Sequence, residues 1–291
     1  MVLGNCLELL RALPTKSIDH TITDPPYEAE CHDLERMWRL TGTGADRLYN
    51  KTGKGQERSI ERMTLDFDAI TEDDRLEAAR EIVRVTKGWA LVFAQDEGIP
   101  LWRAALCAAP YYEDREHAPA KWRRLCIWHK TDAMPKIMGD APAQGHEPFA
   151  AVWCGTGHSV WNGGGRSGVF SHASGANKYH PTEKPLGLMR DLIVNFTMPG
   201  DLVLDPFGGS GATPVAAKEA GRDFLVYELN PVHVKTMEER LAKTKERRSF
   251  EVLGFSSRKM KPRGAGIVER AVEHLSFDLP VKKKRKPRRM K

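Results

Sequence analysis

The chain has little cysteine, and nothing arranges what it has. Its five cysteines (Cys6, Cys31, Cys107, Cys126 and Cys154) are odd in number, scattered, and include no Cys-x-x-Cys pair. That pattern argues against a disulfide framework and a zinc site, and for a reducing compartment. No window approaches the roughly 20 apolar residues that span a bilayer. The opening residues, Met1 to Asn5, carry neither the basic nor the apolar region of a signal peptide. The expectation is a cytoplasmic protein with no membrane part. Internal repeats and heptads are also missing, so a solenoid or coiled coil has no support.

What is present suits one large α/β domain with insertions, or two small ones, in 291 residues. The net charge of +6 hides an asymmetry: residues 282–291 hold eight Lys or Arg and no acid, leaving the remainder near −2. A cationic tail on a nearly neutral body attracts nucleic acid by counterion release, and equally suits a solvated, disordered terminus.

Asn5 suits the N-cap of a short helix through Leu10, and Thr71 with Asp74 makes a capping box for a helix to about Thr86. Residues 28–62 read as a long irregular loop, a lid or a disordered segment. Strands are predicted at 18–23 and 89–94, and the runs 122–128 and 149–153 suit an antiparallel pair. An amphipathic helix is predicted over 186–196. A strand at 201–204, a helix to Ala220, a strand at 223–227 and a charged helix over 231–247 follow. Beyond 249 the chain is basic and weakly patterned.

Two turns carry the chemistry. The strand at 201–204 runs into Asp205-Pro206-Phe207-Gly208-Gly209-Ser210-Gly211, then a helix, then a strand ending at Glu228. That is the layout of a nucleotide-binding βαβ unit, with an acid about 20 residues after the glycines to hold ribose hydroxyls. Gly209 and Gly211 would let backbone approach a ligand. The dinucleotide fingerprint fails, because Thr213 and Pro214 follow where it needs glycine, and no P-loop lysine is present. A dehydrogenase reading loses its main support. The other turn is Asp24-Pro25-Pro26-Tyr27. A Pro-Pro step cannot continue a central strand, so Asp24 falls at a strand's carboxyl end, where ligands of open α/β sheets bind.

These turns, with Asn5-Cys6-Leu7-Glu8 leading to Ile18-Asp19 and with His180-Pro181-Thr182-Glu183-Lys184-Pro185, resemble the DNA amino-methyltransferases that make N6-methyladenine or N4-methylcytosine. The order of motifs is similar to their beta group, in which the Asp-Pro-Pro-Tyr motif precedes the cofactor motif. The resemblance implies a Rossmann-like α/β fold with a seven-stranded, mostly parallel sheet in permuted order, over residues 1–248. A target-recognition region would lie within 131–178, and 249–291 would be a basic extension. It implies S-adenosylmethionine held by Asp205, Pro206, Phe207, Gly209, Gly211 and Glu228, with Thr182 and Lys184 closing the pocket. Asp24, Pro25, Pro26 and Tyr27 would be catalytic.

In that scheme Asp24 and the Pro25 carbonyl accept the amine protons and localise its lone pair, with no raised Asp24 pKa required. Tyr27 stacks on a base flipped out of double-stranded DNA. Lys136, Asn162, Arg166 and Lys178, with Asn177, are candidate DNA contacts. His32, His129 and His158 lack ligand spacing and are read as structural or solvent-facing, so no metal is expected. Asp rather than Ser at position 24 favours adenine N6 over cytosine N4. A homodimer and a cognate restriction endonuclease are candidate partners. A DNA-binding protein that keeps the fold without catalysis is the competing class.

Overall fold

The computed structural model describes residues 1–27, 69–108, 119–135, 142–175 and 183–245. Within them run β1 (Val2–Leu3), α1 (Cys6–Arg11), β2 (His20–Thr23), α2 (Glu72–Val85), β3 (Trp89–Phe93) and α3 (Gly98–Cys107). Then come β4 (Lys121–Lys130), β5 (His146–Trp153), β6 (Val169–His172), α4 (Leu186–Phe196), β7 (Leu202–Asp205), α5 (Ala212–Glu219), β8 (Asp223–Glu228) and α6 (Pro231–Lys243). The expected caps form: Asn5 accepts from the Leu7 N–H, and Thr71 from the Asp74 N–H. These satisfy donors that the first helical turn leaves without partners.

The strands form one sheet in the order β1-β8-β7-β2-β3-β5-β4-β6. Eight strands are described where seven were expected; both edge strands, β1 and β6, are too short to carry a readable alternation. The sheet is mostly parallel as expected, and among the described strands only β5 is reversed, pairing antiparallel with β3 and β4. Helix α3 was not foreseen, because it opens on Gly-Ile-Pro with no side-chain cap.

Alternate residues of the central strands feed two separate cores. Ala90, Val92, Ala150 and Val152 meet α2 and α3 through Ile82, Val83 and Trp102. Leu91, Phe93, Phe149 and Ala151 meet α4 and α5 through Leu188, Leu192 and Ala216. This doubly wound layering explains the near-continuous apolar β3: a strand buried on both faces has no solvent side to mark with polar residues. Fully burying each such large apolar side chain contributes about 1.5–3 kcal/mol. The layering also leaves the carboxyl ends of β2, β3, β7 and β8 along one edge, which is where the two motif turns emerge.

Candidate active site

The two turns are neighbours. β2 pairs with β7 in parallel register, His20 opposite Val203 and Thr21 opposite Leu204, so Asp24 and Asp205 leave adjacent strands on the same edge. The Thr23 hydroxyl donates to Asp205 Oδ1 at 2.7 Å and ties the turns together. The backbone carbonyl of Tyr27 accepts from the Ile70 N–H, so the chain leaves and rejoins the described fold at one point.

At the first turn Asp24 Oδ2 accepts from Lys184 Nζ at 2.5 Å. Its other oxygen, Oδ1, is buried and has no hydrogen-bond partner among the described residues. Burial lifts the Asp24 carboxyl above the ordinary carboxylate range; Lys184 opposes that lift and nearby Glu147 adds to it. The shift departs from the sequence expectation, because the motif alone does not reveal that the carboxylate is desolvated. Burial also raises the Tyr27 phenol, with Asp24 and Glu147 adding to it.

At the second turn the glycines divide their work. A Cβ on Gly208 would stand 2.3 Å from Val226 Cγ1, and one on Gly211 would stand 2.5 Å from Met237 Cγ, so both are needed for packing beneath the turn. Gly211 also holds φ +86°, a conformation that suits glycine. Gly209, at φ +50°, meets nothing within 4 Å on its Cβ side, which leaves open space over the backbone. Glu228 accepts from the Gly209 N–H at 2.7 Å and from the Asn230 N–H at 2.8 Å. A carboxylate has about four lone-pair sites, so it retains capacity for two hydroxyls of a ligand. Phe207 is half-buried against the core beneath α2 and α3, and Pro206 is buried.

A family model described as DNA methylase, for N6 and N4 enzymes, matches residues 18–239. The chain belongs to this DNA methylase family. It is 24% identical over 266 residues to the type II methyltransferase M.HinfI of Haemophilus influenzae, covering 83% of this chain and 68% of that one. The solved complex of M1.HpyAVI with SAM aligns at a TM-score of 0.55 and 21% identity, over 82% of this chain and 97% of that one. The cytosine-N4-specific PvuII DNA methyltransferase aligns at 0.56 and 16% identity, over 96% of this chain and 93% of that one. These two likenesses establish the fold.

Several candidate residues of the methylase take places the sequence did not foresee. Lys184, expected at the cofactor, lies 6% exposed between Asp24 and Glu147. Asn162, a candidate DNA contact, spends its amide donors on the Val194 and Thr197 carbonyls at the end of α4. Arg166 makes a two-pronged pair with Asp191 of α4 at 3.1 and 3.2 Å. Its charge is largely balanced, though the side chain stays half exposed. His129 contacts Ser171 across β4 and β6. Lys136, Asn177, Lys178, Thr182, His32, the loop at 28–62 and the tail lie outside the described residues. No cluster that would hold a metal occurs among the described residues, and no described helix is long and apolar enough to cross a membrane.

Three residues that sequence reasoning missed complete the edge: Glu147, Lys130 and Arg240. Arg240 of α6 donates to the Ser210 carbonyl at 2.7 Å and pairs with Glu183 at 2.8 Å, bracing the glycine turn against the segment that carries Lys184. A separate cavity of about 230 Å³, lined by Asp19, His20, Lys87, Trp153 and Phe196 among others, opens at the amino ends of β2, β3 and β7. It is the opposite edge from the turns, away from where ligands of such sheets bind.

Asp205 supplies a stability prediction. It is 3% exposed. Burial pushes its carboxyl up to about 6 from 3.8, against the hydrogen bonds from Thr213, Thr23 and the Phe207 N–H. A raised native pKa means the folded state holds its proton more tightly. The stabilisation is complete below the unfolded value and fades as pH rises through about 6. Asp205→Asn removes that dependence, so its stability relative to wild type should rise by about 2 kcal/mol between roughly pH 4 and pH 7. Urea unfolding at the two pH values checks this; an equal difference at both would contradict it.

Proposed function

We propose that this chain transfers the methyl group of S-adenosylmethionine to the N6 amino group of adenine in double-stranded DNA. The observation that carries the reading is the Asp24 carboxylate. It stands at the end of β2 beside Tyr27, has one oxygen held by Lys184 and the other buried without a partner, and is one strand from the glycine turn. An acceptor left unsatisfied in the free protein gains most when an amine N–H reaches it.

The cofactor's features are matched by the residues present. The open face of Gly209 and the half-buried Phe207 suit a planar nucleoside, and Glu228 suits its ribose hydroxyls. When bound, S-adenosylmethionine supplies a methyl activated by sulfonium charge, so the protein's work is in-line positioning. An exocyclic amine is a weak nucleophile because its lone pair is delocalised into the ring. Asp24 Oδ1 accepts one amine proton, draws the nitrogen toward a pyramidal shape and localises the pair. After transfer the same oxygen takes the proton that the methylated nitrogen sheds. Tyr27 stacks on the flipped base, a contact of about 1–3 kcal/mol.

The preference for adenine rests on Asp at position 24. Incubation with labelled S-adenosylmethionine and DNA, then digestion to nucleosides, is expected to yield labelled N6-methyl-2′-deoxyadenosine. Labelled N4-methyl-2′-deoxycytidine alone would reassign the base. DNA shifted in gels but never labelled would instead favour a binding protein without catalysis.

A further inference from the structure

Because β5 runs against its neighbours, its amino end arrives at the edge where the parallel strands finish. There it places Glu147, opposite Trp128 of β4, against the first motif turn. Lys184 gives hydrogen bonds to Asp24 Oδ2 at 2.5 Å and Tyr27 Oη at 3.1 Å, and meets Glu147 Oε2 at 3.0 Å. An ammonium has three N–H donors, so its capacity is spent inside this cluster. The Tyr27 hydroxyl, having accepted from Lys184, donates to the same Glu147 oxygen at 3.2 Å. Lys184, Tyr27 and Glu147 thus close a ring. The remaining Glu147 oxygen is held by Lys130 Nζ at 2.7 Å.

An ordinary cross-strand ion pair between Lys130 and Glu147 would need only one carboxylate oxygen. Here the second oxygen is shared between the two groups that touch the residues assigned to the base. We propose that Glu147 is a positioning residue for methyl transfer. Through Lys184 it holds the Asp24 carboxylate with Oδ1 toward the target amine, and through the Tyr27 hydroxyl it sets the ring on which the base stacks. The inference rests on the roles given above to Asp24 and Tyr27. A carboxylate anchored through one oxygen cannot turn about its last bond, so the presented oxygen is defined before substrate arrives.

The charged groups that meet here are Asp24 and Tyr27 after β2, Lys130 of β4, Glu147 of β5, Lys184 before α4, and Asp205 of β7 beyond Asp24. Withdrawing the charge of Glu147 removes a repulsion from Asp24 and an attraction from Lys184. Both then release their protons at lower pH.

Glu147→Gln in the full chain tests this, with labelled transfer to DNA followed across pH and S-adenosylmethionine affinity measured by calorimetry. Turnover is expected to fall about 10²-fold, as for a misplaced reacting group. Cofactor affinity should stay within about threefold, since the loss belongs to the transition state. Both limbs of the kcat–pH profile should move to lower pH. Unchanged turnover overturns the proposal, as does a fall in kcat with an unmoved profile, the signature of mere structural support. Should Glu147→Gln fail to fold, Lys130→Met frees the same carboxylate from behind. It should lower kcat about tenfold with cofactor affinity kept, and unchanged turnover there also overturns the proposal. The site reading fails separately: an active Asp24→Ala would remove it, whereas an inactive Asp24→Ala beside an active Glu147→Gln removes only Glu147.

Discussion

Asp24→Ala is expected to abolish methyl transfer to DNA, with a loss of at least about 10²–10³-fold, the range for removing one polar group aimed at developing charge. Binding of S-adenosylmethionine should change little, because the residues proposed to hold it, Phe207 and Gly209 in the turn after β7 and Glu228 at the end of β8, lie off the turn that follows β2. The substitution removes the acceptor for the amine proton and also leaves Lys184 facing Glu147 and Lys130 with one anion fewer. Asp24→Asn separates these effects. Its carbonyl oxygen can still take Lys184, but an amide N–H then faces the substrate amine, donor against donor. Asp24→Asn should therefore be as inactive as Asp24→Ala while melting closer to wild type. The raised Asp24 carboxyl adds a pH signature: protonation removes the acceptor, so wild-type kcat should fall on the acid side at a pH above the ordinary carboxylate range. Single-turnover transfer and calorimetric cofactor binding check all three. An Asp24→Ala protein with unchanged turnover would mean that the amine is received elsewhere.

The parts of this site that were readable in sequence are those written locally. A Pro-Pro step ends a strand wherever it occurs, Asn5 and Thr71 cap the helices that follow them, and Glu228 closes a strand that begins just after Gly221. Glycine carries a local message too, but only in part: the sequence marks the turn at 208–211, while the structure separates Gly211, needed against Met237, from Gly209, which faces open space. What was not readable depends on strand order. Glu147 is a polar residue at the start of a strand; the antiparallel pairing with the run at 122–128 was expected, but nothing near it in sequence announces that β5 also pairs with β3 and so starts beside Asp24. Lys184 was found through its motif, but its contacts with Asp24 and Glu147 were not, because the motif supplies its position in the chain and not the carboxylates that flank it. Asn162 looked available because its glycine-rich surroundings hide the α4 carbonyls that take its amide. Arg240 read as one charge on a charged helix, since its partners lie 57 and 30 residues back in the chain.

Arg240→Met should be the most destabilising single change among these charged residues, lowering the unfolding free energy by about 3–5 kcal/mol, the usual cost of stranding one half of a buried pair. Arg240 and Glu183 are 8% and 7% exposed and 2.8 Å apart, and the same guanidinium nitrogen serves the Ser210 carbonyl at 2.7 Å. The methionine variant takes from buried Glu183 the guanidinium that faces it at 2.8 Å and deprives the turn carbonyl of a donor. The pair itself need not be strongly stabilising, since desolvating two charges offsets much of their attraction. The double change Arg240→Met with Glu183→Met should therefore recover most of the loss, failing chiefly by the Ser210 contact, which is worth about 1 kcal/mol. Urea unfolding of the two singles and the double forms a cycle that measures the coupling directly. Additive losses would show that the two charges act independently. Because Arg240 braces the glycine turn against the segment bearing Lys184, the double variant should also bind S-adenosylmethionine more weakly than wild type even where its stability returns. That separation would show that the pair specifies the geometry of the edge more than it strengthens the fold.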